Sequence, residues 1–106
     1  MNALFIVVST FPSREVARQL GAEVVEAGLA ACVNILGDIE SIYPWDGEIC
    51  RENEVYVMMK TSAATYPKLE SWLEENHPYD NPAILALPIE KAAAAYAKWV
   101  IENTSQ

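Results

Sequence analysis

The chain's only histidine stands in Asn76-His77-Pro78-Tyr79-Asp80-Asn81-Pro82, between two prolines and beside an aromatic ring and a carboxylate. Imidazole is a common metal ligand and the side chain whose charge changes near neutral pH. Proline fixes its own φ and restrains the residue before it, so this segment reads as a stiff turn that can hold a functional group in place. His77 is therefore a candidate ligand for Cu(II) or Zn(II), assisted by Asp80, since carboxylates raise the local cation concentration. One histidine does not build a closed zinc site, which takes about four ligands. A polar turn residue bonded to backbone is the competing reading.

Cys32 and Cys50 are the two cysteines. They are too few for a disulfide framework, and their spacing matches no zinc pattern. In Ala31-Cys32-Val33-Asn34-Ile35, strand alternation puts Ala31, Val33 and Ile35 on one side and Cys32 and Asn34 on the other. An exposed thiolate at Cys32 would suit Cu(I), whereas a buried thiol acts as a small hydrophobe. Cys50, beside Arg51, is the more reactive candidate of the two. Tyr43, Trp45, Lys60 and Tyr79 are candidates to line a ligand cleft between subunits, because pockets join aromatic walls to a few convergent polar groups. Lys60 could hold an anion there. The aromatics could equally anchor an interface. Glu48, Glu52 and Glu54 share strand parity and are read as a row facing water.

The periodicity predicts the elements that must place these groups. Residues 3–10 are β-branched and apolar and read as a strand. Pro12-Ser13 opens a helix carrying Val16, Leu20, Val24 and Ala27, and Gly28 stops it. Residues 31–43 read as a strand bent near Gly37-Asp38, and residues 48–60 as its partner. Asp46-Gly47 between them is a hairpin signal. Thr61-Ser62 is expected to cap a second helix, with Tyr66, Leu69 and Leu73 on its apolar face. Residues 83–88 read as a strand buried on both faces. A last helix is expected from Glu90, anchored by Tyr96, Trp99 and Val100. The order β-α-β-β-α-β plus a helix predicts an α+β, ferredoxin-like sandwich with a long central hairpin.

Taken together, these motifs resemble the CutA family of divalent-cation tolerance proteins. The resemblance runs through Leu29-Ala30-Ala31-Cys32-Val33-Asn34-Ile35, Ser41-Ile42-Tyr43 with Trp45 and Gly47, Lys60-Thr61, His77-Pro78-Tyr79 with Pro82, and Ala86-Leu87-Pro88-Ile89. It implies a homotrimer built around the hairpins, a link to copper and other divalent cations, and no defined catalytic reaction. The chain departs from the family in three places. Members of the family often carry an acidic or amide residue after His-Pro-Tyr, and Asp80 is acidic but shorter than glutamate. Glu90–Ala95 replaces a glycine-containing loop, so the final helix is expected to start early. Thr10-Phe11-Pro12 lacks the first-turn cysteine associated with copper, so that site is not carried over. The alternative function is a trimeric small-molecule sensor, like the PII signalling proteins, binding an anionic ligand between subunits. That likeness is one of architecture alone.

Bulk properties narrow the classes further. The chain's 106 residues fit one domain, 1–106, and a hydrophobic share of 52% is rich for a small monomer, which points to a buried interface. A net charge of −8 with only seven scattered Lys and Arg excludes nucleic acid as the main partner and disfavours an anionic membrane. The apolar start is too short, and lacks the basic flank, for a signal peptide. Nothing approaches membrane-spanning length. Two reduced thiols in the cytoplasm are expected. No set of nucleophile, base and orienting group is visible, so no enzyme activity is expected.

Overall fold

Alternation along the strands sorts this molecule into two faces. The computed structural model describes residues 3–104. Its elements are β1 (Leu4–Phe11), α1 (Arg14–Glu26), β2 (Cys32–Trp45), β3 (Glu48–Ser62), α2 (Tyr66–Asn76), β4 (Leu85–Pro88) and α3 (Ala94–Glu102). The four strands form one antiparallel sheet in the order β2-β3-β1-β4. Val7 and Phe11 of β1 and Val55, Val57 and Met59 of β3 point to one side. There they meet Ala17, Leu20 and Val24 of α1 and Leu69 and Leu73 of α2, forming the main core. The opposite face carries Ile6, Met58 and Lys60. Its far end is covered where Val100 of α3 packs with Leu4 and Ala31.

Local chemistry sets the helix limits. Ser13 caps α1 by accepting a hydrogen bond from the Val16 N–H at 3.2 Å, and Gly28 takes φ 73° just past its end. Thr61 and Ser62, expected to cap α2, instead finish β3. Ser62 Oγ accepts from the Thr65 N–H at 3.3 Å, so it makes the turn that leads to the helix, which begins at Tyr66. The last helix starts at Ala94 rather than Glu90. The reason is that the Ile89 N–H is bonded to the Leu4 carbonyl at 3.0 Å, which prolongs the extended run past β4. Of its three expected anchors, Val100 is buried, while Tyr96 and Trp99 stay substantially exposed.

The fourth strand also departs from expectation. It is a four-residue edge strand paired to β1, not a strand buried on both faces. Ala86 packs against the core, but Leu85 and Leu87 lie opposite Val8 and Ile6 on the other face and remain 60% and 50% exposed.

The central hairpin is much longer than the strands beside it. β2 has 14 residues and β3 has 15, against 8 in β1 and 4 in β4, so its tip projects and the molecule measures 45 × 26 × 22 Å. Asp46 and Gly47 both take positive φ, 55° and 81°, which is the two-residue turn of type I′ that matches strand twist.

Leu36 is the extra residue of a bulge, because Ile35 pairs with Val57 while Gly37 pairs with Tyr56. One extra residue inverts the alternation. Val33 and Ile35 thereby reach the core, while Ile39, Ser41 and Tyr43 lie opposite Glu54, Glu52 and Cys50 on the other face. An uninterrupted strand could not satisfy both. Gly37 completes the bulge at φ 142°, where a Cβ would lie 3.2 Å from the Arg14 guanidinium.

Deleting Leu36 should therefore be far more damaging than Leu36→Ser, which keeps the bulge and loses only a side chain that is 54% exposed. The deletion must turn Val33 and Ile35 out of the core or slip the hairpin. A loss of about 2–5 kcal/mol is expected in denaturant unfolding, against under about 0.5 for the serine variant. Equal losses would sink this account.

Candidate functional site

Strand β4 stops short, and His77 takes over where it ends. Leu4 presents its carbonyl to the β4 side, accepting from Ile89, while Ala3 presents its carbonyl to the β3 side. Antiparallel alternation therefore aims the Thr10 carbonyl toward β4 as well. Pairing of β1 with β4 has already stopped at Val8. His77 Nε2 supplies the missing donor at 2.9 Å from the Thr10 carbonyl. Its Nδ1 accepts from the Tyr79 N–H at 3.1 Å, so the proton belongs on Nε2. The ring stacks on Phe11 at 4.6 Å and lies against Tyr79 at 4.9 Å.

Both ring nitrogens are thus engaged. Neither can meet a metal ion without breaking a bond to the protein. The imidazole here connects the sheet to the turn and places Tyr79. Burial holds His77 below its ordinary 6.5, against the opposing pulls of the Thr10 bond and the Glu54 charge.

The turn closes a cavity of about 640 Å³ at the root of the hairpin. Tyr43, Trp45 and Cys50 come from the hairpin, and Glu52 and Glu54 from β3. Tyr79 and Asp80 come from the turn, and Thr10 from β1. The Tyr43 phenol lies beside Glu52, and the Tyr79 phenol beside Glu54. Both phenols are pushed above their ordinary 10.0, by burial first and then by these carboxylates. Glu54 is only 9% exposed. Among the described residues the ion pair present is Lys98–Glu102 on α3, and no Lys or Arg lies within salt-bridge distance of Glu52 or Glu54.

Tyr43, Trp45, Tyr79 and Asp80 therefore meet, with His77 behind them. Lys60 and Cys32 do not join them within the protomer. They pair with each other across the sheet at the α3 end, where Asn34 Oδ1 accepts from the Lys60 ammonium and from the Cys32 thiol at 3.7 Å. Ten residues of β3 separate Cys50 from Lys60, roughly 33 Å of strand. Among the described residues no group of three or more His, Cys, Asp or Glu is placed to hold a metal ion.

Of the three carboxylates expected to face water, Glu48 and Glu52 are exposed, Glu52 at the cavity's rim, whereas Glu54 is buried in its wall. The hairpin signal at Asp46-Gly47 contained part of this, since a two-residue turn puts Tyr43 opposite Cys50 and Ser41 opposite Glu52. The packing of Tyr79 over Glu54 is tertiary and had no local signal.

Fold and site together define an α+β protein with a carboxylate- and tyrosine-lined cavity at the base of a projecting hairpin. Residues 5–103 match the family model described as CutA1 divalent ion tolerance protein, and the chain belongs to that family. It is 43% identical over 99 residues to the "Divalent-cation tolerance protein CutA" of Thermus thermophilus, covering 93% of this chain and 96% of the relative. The "Protein CutA" of Homo sapiens is 40% identical over 104 residues, and there the chain spans only 56% of the relative's length. A Thermus thermophilus structure, "Divalent cation tolerance protein (Cut A1)", superposes with a TM-score of 0.92 at 42% identity, over 96% of this chain and 99% of that one. Compartment words differ among relatives, with "chloroplastic" in an Arabidopsis thaliana name and "Periplasmic" in an Archaeoglobus fulgidus title. Among the described residues, no helix is long and apolar enough to cross a membrane.

The lowered His77 value has a definite sign. The unfolded chain takes up the proton first, so this stabilisation is complete above about 6.5 and is lost as pH falls through the lowered folded value. Urea unfolding from pH 8 to pH 5 should show a steeper loss in the parent than in His77→Gln. Parallel profiles would refute the imidazole's structural role.

Proposed function

We propose that this chain is a homotrimeric, cytoplasmic protein of divalent-cation and copper tolerance that binds metal ions weakly and performs no reaction. One observation carries the reading. The hairpin-root cavity is walled by Glu52, Glu54 and Asp80 and has no basic residue in its lining. Such a site concentrates cations and repels anions. Cu(II) or Zn(II) is drawn into the cavity by this charge and keeps its water, since the three carboxylates do not converge on one point and a closed site needs about four ligands. Asp80 is the solvent-side ligand in this scheme. His77 acts from behind by placing Tyr79, and becomes a ligand only after releasing Thr10 or Tyr79. Cys32 is a separate contact for a soft ion at the other end of the sheet.

The strand order and the placement of α1 and α2 on one face support the ferredoxin-like description. The exposed Leu85 and Leu87 on the sheet face, with Ile42 and Ile49 on the hairpin, support assembly. The number three comes from the family resemblance. The anion-sensing alternative loses ground because Lys60, its expected anchor, lies outside the cavity.

Native mass spectrometry of untagged protein, with and without Cu(II) and Zn(II), tests this. A trimer taking up metal in threes is expected. The pair Glu54→Gln with Asp80→Asn should lower uptake several-fold, and His77→Gln should lower it less. A trimer without uptake would defeat the metal reading, and a monomer would defeat the assembly.

A further inference from the structure

Helix α3 has little to stabilise it on its own. It has nine residues, and isolated helices shorter than about twelve are marginal in water. Ala93 offers no side-chain cap at its start, and neither an acidic residue in the first turn nor a basic one in the last offsets the macrodipole. The Lys98–Glu102 pair is exposed and adds little. Val100 is the one buried residue of the helix. It packs with Leu4 and Ala31 in a small cluster apart from the main core.

The residue just beyond the helix is tied more firmly. Thr104 is buried, and its Oγ1 lies 2.9 Å from Ser62 Oγ and 2.9 Å from the Val100 carbonyl oxygen. Ser62 Oγ also lies 2.9 Å from Thr65 Oγ1 and accepts from the Thr65 N–H at 3.3 Å. Three buried hydroxyls thus join the end of β3, the turn into α2 and the end of α3. Breaking such a cluster leaves buried polar groups unpaired, which favours the docked helix.

The docked helix covers two features of the sheet. Tyr96 lies beside the Cys32 thiol. With Ala93 and Val100 it also closes a crevice of about 350 Å³ against Leu4, Ile6 and Lys60.

We propose that α3 is a strap that opens as a unit from the far end of the sheet, with the Ser62, Thr65 and Thr104 hydroxyls as its latch and the Cys32 thiol as the group it shields. Opening separates Val100 from Leu4 and Ala31 and leaves the main core intact, because the two clusters are distinct. Helix, latch and thiol belong to one chain, and the inference does not rest on the metal reading.

Hydrogen exchange of the assembled protein, followed by mass spectrometry, tests it. The α3 amides of residues 97–103 should exchange much faster than those shared by β1 and β3. Thr104→Val keeps the shape and removes the hydroxyl. It should speed α3 exchange by about tenfold and leave β1 and β3 unchanged. In a Cys50→Ser background, N-ethylmaleimide should label Cys32 several-fold faster once Thr104→Val is added. Ser62→Ala takes its place in both measurements if Thr104→Val does not assemble. Exchange in α3 as slow as in β3, which a neighbouring subunit clamping the helix would produce, overturns the strap. Unchanged exchange in the variant overturns the latch, and unchanged labelling overturns the shielding of Cys32. Equal acceleration in every element means general destabilisation and overturns the proposal as well.

Discussion

A peptide carbonyl that loses its partner inside a protein must find another, and the Thr10 carbonyl sets that requirement here. The edge strand β4 ends before it can serve Thr10. His77 serves instead. Because the same ring also accepts from the Tyr79 amide, one imidazole ties β1 to the turn after α2. Phe11, stacked at 4.6 Å, and Tyr79, tilted at 4.9 Å, hold the ring in place. The turn can then lay Tyr79 over Glu54, and the cavity acquires its lid. A histidine that looks like a ligand in one dimension works as a bracket in three.

Charge and shape are distributed unevenly over the molecule as a consequence. The helix side of the sheet is closed and apolar, with Leu69, Leu73, Val7 and Val57 fully buried. The other side is divided. Lys60, Asn34 and Cys32 form a small polar group near α3. The carboxylates and tyrosines gather at the hairpin end. Two chemistries therefore occupy one sheet face without touching, separated by the length of β3.

Much of the scaffold was legible because period and punctuation agreed with the packing. Val55, Val57 and Met59 alternate as a half-buried strand must, and Ser13 and Gly28 bracket α1 as caps do. Tyr43, Trp45 and Tyr79, read from the sequence as one group with Lys60, are neighbours in the fold, but Lys60 lies apart from them beside Asn34. The misreadings share a cause. Whether Leu85 and Leu87 are covered, whether Glu54 faces water and whether residues 90–93 coil depend on what lies across space from them. The extended run at Ile89 is fixed by a bond to Leu4, 85 residues earlier in the chain. The parity change at Leu36 is a single inserted residue; Gly37-Asp38 announced a bend there, but not that the two halves of the strand turn opposite faces to the core.

That bulge also bears on a hazard at the sheet's other margin. β2 is an edge, so its outer row of amides and carbonyls invites pairing with any extended chain. Fourteen residues of regular edge would be a long template for aggregation. The shift at Leu36 breaks it into two shorter stretches whose hydrogen-bonding phases do not agree. A regular strand that docks in register on one stretch is out of register on the other. The residue that aims Tyr43 into the cavity thus also makes the exposed edge selective, admitting only a partner that carries a matching irregularity or contents itself with half the length.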